Sequence, residues 1–434
     1  LLIALSLFVV VYLLFETGTA SNIWVDITYL IICSIAVFGI FNRRNISYSL
    51  YKTFYSFVLF FLGVSPYVQY KNGTVFWTNA QIFQPSDYIE TNLLIIFILG
   101  LFEIIYFLSY KVYKPTTSLD TNPIVNVSVF SKILLITLSL VSIYLVVVSK
   151  DFQYVSLFVR GIDNFEVTPF EQVVNNFFRP SPLIIFMLYY SSVKRFDFFA
   201  IITLVIGVLI NFPTGLARYS AAALYIPLFL TIFPRLLRKH FFNILLIGGL
   251  LVLFPFLNQF RNLEDDSNLN IGLDFSMFNE GHFDSYSSLM RVVKYDVISY
   301  GNQLLGVLLF WIPRSFWPTK PVGSGAYLAE QLDLGWSNIA VNYFAEGYIN
   351  FGLLGIILFL LILAYNCAKF DRIYEANILR SGKSAYFNVF YYLLIGFLIF
   401  ILRGGLMCSF AYVIGFLMAT RLIFIILKFR LSNK

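Results

Sequence analysis

The sequence predicts an all-α polytopic integral membrane protein with about twelve transmembrane helices and one long, partly helical outward loop. Of its 434 residues, 59% are hydrophobic and only 12% are charged, and the mean hydropathy is +0.79. Soluble domains are about 45–50% apolar and about 25% charged. Apolar runs recur along the whole chain. These observations exclude a soluble enzyme, a disordered protein and a domain with one short anchor.

The apolar runs divide the chain into three regions. Residues 1–257 carry the first nine predicted helices, 258–343 form the large outward loop, and 344–434 carry the last three helices. The predicted spans, of about 20 residues or somewhat fewer, are roughly 1–15, 24–41, 53–68, 92–110, 132–148, 182–193, 198–211, 220–233, 242–257, 344–365, 385–402 and 405–425.

Charge predicts the orientation of these spans. Lys and Arg concentrate in alternate connections, as in 42–44 and 234–239, whereas acidic residues concentrate in the others. Because cytoplasmic loops carry the excess of Lys and Arg, both termini are predicted to be cytoplasmic and the long polar segments to face outward. The same bias accounts for the net charge of +7, so no nucleic-acid partner is predicted.

The large loop 258–343 is too long to be structureless, and its pattern predicts two helical elements. A stripe of apolar residues at spacings of four and three indicates an amphipathic helix. Its members are Tyr286, Met290, Val293, Val297 and Tyr300. Asp284 stands at the N-cap position, and Arg291 and Lys294 lie on the face away from the stripe. The apolar run 304–312 is too short to span and is bounded by prolines, which predicts an interfacial or re-entrant helix.

The motifs of soluble enzymes are absent from the sequence. It has no P-loop, no GxGxxG after a strand, no HExxH and no GxSxG, which disfavours ATP-driven transport. The three cysteines, Cys33, Cys367 and Cys408, form no CxxC pair, so neither a disulfide framework nor a zinc site is expected. We therefore predict that the protein uses no cofactor and no metal.

Arginines on the predicted outward side are the first candidate binding residues. We single out Arg218, Arg291, Arg314 and Arg403 for binding a lipid pyrophosphate. An arginine beside a bilayer is costly, and its planar fork matches phosphate oxygens. Arg218 follows a break in a span, and Arg403 lies between two spans with almost no loop. The plain alternative for each is pairing with loop acids or lipid head groups.

His282 and Asp284 are the candidate catalytic residues. They lie in the run NEGHFD at 279–284. A general base needs a pKa that can be tuned near neutrality, which His meets directly and a buried Asp can meet. In the alternative, Asp284 only caps the predicted helix and His282 is a surface residue. Both interpretations fit the sequence.

Several outward segments carry runs that look like motifs. Residues 310–321 read FWIPRSFWPTKP and 345–352 read AEGYINFG, and shorter runs are GHFDSY at 281–286, GLAR at 215–218 and LRGG at 402–405. With the length, the spans and the long late outward loop, these runs resemble the bacterial O-antigen and capsule repeat-unit polymerases, the Wzy family. The run PRSFWPTKP is the strongest of them.

The resemblance implies a function and its partners. The substrate would be an oligosaccharide repeat unit linked to undecaprenyl pyrophosphate. The enzyme would be a glycosyltransferase that polymerises such units on the periplasmic face of the bacterial inner membrane. The four arginines would bind the pyrophosphate, and His282 or Asp284 would position or deprotonate the acceptor hydroxyl. Membrane lipid and a chain-length regulator protein would be further partners.

Three alternatives stay open. A lipid-linked oligosaccharide flippase or transporter would show internal repeats and polar groups near mid-membrane. Here the interiors of the spans are poor in charge, with Glu103 the clearest exception. An O-antigen ligase, from a related family, would use lipid A core as the acceptor. A non-catalytic assembly partner is the third alternative.

The orientation gives the first testable prediction. Residues near 372–380 should be cytoplasmic and those near 261–300 outward, because basic connections stay in the cytoplasm. In a variant without the native cysteines, an impermeant thiol reagent applied to intact cells should label Asn268→Cys and leave Arg372→Cys unlabelled. Labelling of Arg372→Cys alone would reverse the orientation.

Overall fold

The computed structural model describes most of the chain, and the regular elements of that part are helices. The described residues are 20, 22–41, 48–77, 82–115, 127–158, 168–233, 248, 278–379 and 385–429. The predicted span 1–15, the predicted span 242–257 apart from residue 248, and the loop segment 258–277 lie outside them.

The α-helices of the described ranges are numbered in chain order. The first eight are α1 (Ile23–Phe41), α2 (Leu50–Phe57), α3 (Ser65–Lys71), α4 (Pro85–Val112), α5 (Val129–Ser149), α6 (Pro169–Val173), α7 (Ser181–Val193) and α8 (Phe198–Ile210). The others are α9 (Arg218–Ile232), α10 (Ser285–Lys294), α11 (Asn302–Leu308), α12 (Ser324–Gln331), α13 (Tyr343–Leu379), α14 (Ala385–Arg403) and α15 (Leu406–Lys428). A π-helical turn, Val58–Val64, joins α2 to α3, and another, Val174–Phe178, follows α6.

Seven helices of the described part are long and apolar enough to cross a membrane, which is the pattern of a multi-pass membrane protein. They are Ile23–Phe41, Pro85–Val112, Val129–Ser149, Phe198–Gly215, Tyr343–Ile378, Ala385–Arg403 and Leu406–Lys428. Each overlaps a predicted span. Ser220–Ile232 is a shorter apolar helix, and α7 has 13 residues. The total of about twelve spans therefore stays a prediction.

One end of the bundle gathers α10 with the starts of α1, α4, α13 and α15. Asp26 of α1 pairs with Lys71 of α3 at 2.9 Å, and Asp87 of α4 pairs with Lys294 of α10 at 2.6 Å. Asp284, directly before α10, lies among these elements. We call this end of the bundle the Asp284 end.

The opposite end gathers the starts of α2 and α14 with the ends of α4 and α13. Asp371 of α13 accepts hydrogen bonds from the backbone N–H groups of Leu50 and Tyr51, at 2.9 and 3.2 Å. It also accepts from the hydroxyls of Tyr106 and Tyr391, each at 2.7 Å. We call this the Asp371 end. The grouping of connections at the two ends agrees with the two sets that the charge pattern predicts.

The continuous helical segment from Leu50 to Lys71 is buried along its whole length. Helices α1, α10, α13 and α14 pack around it. Its polar groups find partners inside the protein, since Gln69 near its end donates to the carbonyls of Phe278 and Phe283, at 2.8 and 3.2 Å. This segment, which contains the predicted span 53–68, is therefore the central element of the bundle.

Helix α13 reverses direction at Phe351 and Gly352. Their φ/ψ angles are −146/26° and 60/−146°, and neither pair is helical. The Tyr343 ring lies 5.2 Å from the Phe359 ring, and the Tyr343 hydroxyl donates to the Phe359 carbonyl at 3.1 Å. The part before the break therefore folds back along the part after it. The predicted span 344–365 is a short folded-back helix followed by a long one.

The turn after α10 satisfies the backbone groups that this reversal frees. The carbonyls of Ile349 and Asn350 accept from the N–H groups of Ser299 and Gly301, at 2.6 and 2.9 Å. The side chain of Asn350 accepts from the N–H of Leu304 at 2.7 Å. Irregular backbone is tolerated inside a membrane protein only where such partners exist, so the turn and the reversal depend on each other.

The predicted amphipathic helix is present as α10, but it is shorter than the predicted stripe. Tyr286, Met290 and Val297 are buried, and Val293 is half-buried. The prediction for Tyr300 is wrong, since its side chain is 86% exposed. The helix has ended before this residue, and a φ of 51° at Tyr300 turns the chain.

The conformation of Gly352 gives a second testable prediction. Its φ/ψ angles fall in a region that is essentially confined to glycine, so Gly352→Ala should destabilise the protein by about 1–3 kcal/mol. The melting temperature in detergent measures this loss. Gly100→Ala in α4 is the matched control, because a Cβ there meets nothing within 4 Å and alanine favours a helix. Equal melting temperatures for the two variants would show that alanine is not strained at position 352.

Candidate active site

Asp284 lies at the centre of the site and is 2% exposed. Its Oδ2 accepts from the indole N–H of Trp77 at 2.9 Å and from the backbone N–H of Ala340 at 3.3 Å. Its Oδ1 lies 3.5 Å from a guanidinium nitrogen of Arg403. Asp284 occupies the N-cap position of α10, but its side chain makes no capping hydrogen bond. The interpretation of its side chain as a simple cap is therefore wrong, because the carboxylate joins three other parts of the chain.

Arg403 compensates the buried charge of Asp284. Burial raises the pKa of Asp284, and the charge of Arg403 is the main influence that opposes the rise. The Nε of Arg403 donates to the backbone carbonyl of His282 at 2.8 Å. Arg403 is the last residue of α14, where the helix dipole favours a cation. Because 26% of its side chain is exposed, this arginine is a fixed cation that solvent can reach.

His282 and Glu280 form an accessible pair beside this cation. The imidazole Nε2 lies 3.4 Å from a carboxylate oxygen of Glu280, and the two side chains are 42% and 36% exposed. His282 belongs to the short 3₁₀ turn Gly281–Phe283. Phe283 anchors this turn, since it is 1% exposed and its ring lies 5.0 Å from that of Phe61. The turn therefore places an imidazole at the surface with a carboxylate next to it.

Arg291, a predicted pyrophosphate ligand, lies inside the protein. Its side chain is fully buried and donates to the Ser287 hydroxyl at 3.2 Å and to the Phe76 carbonyl. Burial lowers the pKa of Arg291 to about 10, and the charge of Asp284 opposes the fall. A guanidinium in this place supports Asp284 from within the protein and presents no surface to a ligand.

Arg314 lies in a separate exposed segment. It donates to the carbonyls of Lys320 and Pro321, at 2.7 and 3.2 Å. Lys320 in turn donates to the carbonyls of Phe310 and Ile312, at 2.6 and 3.0 Å. Burial and the charge of Arg314 lower the pKa of Lys320. Arg314 and Lys320 thus hold this segment together through its own carbonyl groups. Within the described residues, no contact joins either of them to the ion pair of Asp284 and Arg403.

Arg218 begins helix α9, and its side chain lies outside the described residues. Helix α9 packs closely on α14, since a Cβ at Gly396 would lie 2.9 Å from the carbonyl oxygen of Ala223. The structure thus brings together His282, Asp284 and Arg403.

Three residues of the site were not predicted as site residues: Glu280, Trp77 and Glu346. Glu346 is fully buried and accepts from the Ser324 hydroxyl and the Leu406 N–H, each at 2.7 Å. It thereby ties α13 to α12 and to the start of α15. Trp77 lies 207 positions from Asp284 along the chain. Nothing in the sequence reports such long-range contacts, and only the proximity of Glu280 to His282 could have been noted.

Within the described ranges, no group of three or more His, Cys, Asp or Glu side chains could hold a metal ion. No protein-family model matches this chain, and no curated protein or solved structure matches it either. The fold and the site define a helical multi-pass membrane protein with a charged site at one end of its bundle.

The ion pair gives a third testable prediction. Arg403→Gln should destabilise the protein by about 1–3 kcal/mol, because it leaves a buried carboxylate without its cation. The pKa of Asp284, already raised by burial, then rises further, so the folded protein binds a proton that the unfolded chain releases. The loss of stability should therefore be smaller at about pH 5.5 than at about pH 8, as measured by melting in detergent.

Addition of Asp284→Asn to Arg403→Gln should recover part of the lost stability, because the unpaired charge is removed. The matched control is Arg314→Gln, which leaves no buried carboxylate behind and should show no such pH dependence. Strictly additive losses for the two site substitutions would contradict the coupling.

Proposed function

We propose that this chain is a membrane glycosyltransferase that polymerises undecaprenyl-pyrophosphate-linked oligosaccharide repeat units on the periplasmic face of the bacterial inner membrane. The resemblance to O-antigen and capsule polymerases supports the proposal. One structural observation also supports it. At the Asp284 end, the guanidinium of Arg403 is held beside the accessible pair of His282 and Glu280. Transfer from a lipid pyrophosphate needs one group for the leaving charge and one for the acceptor proton.

Arg403 is the residue that we assign to the leaving group. During transfer, the bond between the donor's anomeric carbon and its pyrophosphate oxygen breaks, and negative charge develops on that oxygen. Asp284 and the His282 carbonyl already hold the guanidinium, so little reorganisation is needed when the charge develops. Its planar fork suits phosphate oxygens. Arg218 and Arg314 remain further candidates for the same pyrophosphate.

His282 is the residue that we assign to the acceptor. The hydroxyl oxygen of a second lipid-linked unit attacks the anomeric carbon, and the hydroxyl proton passes to the imidazole. Glu280, at 3.4 Å from the imidazole, stabilises the protonated form by its charge. Asp284 is buried and engaged with three partners. We therefore assign Asp284 to the positioning of Arg403 rather than to proton transfer.

Transport by a flippase is the second candidate function. The surroundings of two carboxylates within the helices, Glu103 and Asp371, disfavour it. Glu103 accepts from the hydroxyls of Tyr51 and Tyr55, the second at 2.7 Å. Asp371 accepts four hydrogen bonds from tyrosines and backbone. Transporters carry polar groups near the bilayer midplane that bind substrate or ions, whereas these carboxylates serve as internal anchors. A ligase differs from a polymerase only in its acceptor, and experiment has to separate the two.

The proposal is tested with purified full-length protein in proteoliposomes that contain lipid-linked repeat units from the same strain. A polymerase yields lipids that carry two, three and more repeats. A ligase transfers glycan only when lipid A core is added, and a flippase moves the unit across the bilayer without forming a new bond. If the purified protein forms no lipid that carries two or more repeats from these units, the proposal that it is a polymerase is contradicted.

Variants of His282 give the fourth prediction in this assay. His282→Ala should slow elongation by about 100-fold or more, since a general base contributes about 10²–10⁴-fold. His282→Gln should not restore the rate, because an amide cannot take the proton. Glu280→Gln should slow it by a smaller factor. Glu330→Gln, which alters an exposed carboxylate of α12, is the matched control. Full activity of His282→Ala would exclude His282 as the general base, and the mechanism would then depend on the arginines alone.

A further inference from the structure

Two tryptophans stack beside Asp284. The ring centroids of Trp77 and Trp336 are 5.8 Å apart, and the ring planes meet at 22°. The indole N–H of Trp77 donates to the Asp284 carboxylate. Trp77 also packs against a small apolar cluster that flanks Trp336 along the chain. The buried members of this cluster are Ala329, Leu334 and Ile339. The stacked pair therefore adjoins the candidate active site.

Trp77 is held in this place against a conformational preference. Its φ is 56°, in the left-handed region that residues with a Cβ rarely adopt. Asp284 binds its indole, and Arg291 donates to the carbonyl of Phe76 directly before it. Gly281 leaves room for the ring, since a Cβ there would lie 2.6 Å from the indole. Strain of this kind persists where the surroundings require it and concentrates at ligand sites.

Trp336 differs from a membrane-interface anchor in its surroundings. Its side chain is 47% exposed, and its neighbours Ser337 and Asn338 are exposed and polar. Trp311, by contrast, is 67% exposed on a segment that also exposes Phe316, at 84%. An exposed Trp among apolar side chains is typical of an interface belt. An exposed Trp among polar ones, stacked on a second indole, is a surface for a polar ligand with a flat apolar face.

We propose that Trp336, backed by Trp77, is a stacking platform for a pyranose ring of the acceptor oligosaccharide. One face of a pyranose is rich in C–H groups and packs on an indole, while its hydroxyls bind nearby polar groups. Asn338 follows Trp336 on the same loop, and Glu280 and His282 flank the glycine under the Trp77 ring. The proposal rests on the proposed function for the identity of the acceptor. It places the acceptor sugar between the platform and His282.

The test uses the full-length protein in nanodiscs and, as the probe, the repeat-unit oligosaccharide freed from its lipid by mild acid. Calorimetry and saturation-transfer NMR measure binding. Trp336→Ala should weaken binding about five- to tenfold, and Trp336→Phe should keep most of it. Trp24→Ala removes a Trp of α1 that is more exposed than Trp336, at 63%, and it should leave binding unchanged. Binding of undecaprenyl pyrophosphate without sugar should be the same in all variants.

Each outcome has a distinct meaning. If the wild type binds no oligosaccharide, or if Trp336→Ala binds it as the wild type does, the platform is wrong. If the wild type binds through Trp336 but elongates nothing, the proposed function fails and the platform stands. If the wild type elongates chains, Trp336→Ala should raise the KM for the acceptor with little change in kcat. A fall in kcat at unchanged KM would overturn a binding role.

Discussion

The ion pair between Asp284 and Arg403 is the interaction on which the site depends. Removal of a carboxylate from water is strongly unfavourable unless a cation and hydrogen-bond donors replace the water. The donors come from Trp77 and Ala340, which lie 207 and 56 positions away along the chain, and the cation from the end of α14. One buried charge thus joins its own segment to three distant ones, and the position of His282 follows because Arg403 also binds its carbonyl.

Two other buried carboxylates cap helix starts elsewhere in the bundle. The first N–H groups of a helix have no partner within the helix, and inside a membrane protein water cannot serve them. Glu346 of α13 accepts the N–H of Leu406 at the start of α15. Asp371, near the other end of α13, accepts two N–H groups at the start of α2. Acidic side chains from the two parts of α13, one on each side of its reversal, therefore cap two other helices.

The sequence predicts those features that depend on local composition. The all-helical class follows from hydropathy, and each of the seven apolar helices that the structure describes overlaps one of the twelve predicted spans. The grouping of connections at the two ends agrees with the distribution of Lys and Arg. Features that depend on distant partners were not predicted. Arg291 lies away from the apolar stripe of α10, yet it is buried because Phe76 and Asp284 come to it from elsewhere. The reversal at Gly352 lies inside an apolar run, where hydropathy cannot distinguish one straight helix from two.

The burial of the segment from Leu50 to Lys71 has a consequence for biogenesis. In the folded protein this segment has no side that could contact lipid, and its Lys52 is only 1% exposed. Its partners Phe283 and Asp371 are translated more than two hundred residues later. The segment therefore enters the bilayer before its permanent neighbours exist, with polar groups that hydrocarbon disfavours. Its final packing waits until the ribosome has completed α14, so the central segment is the last part of the bundle to be enclosed.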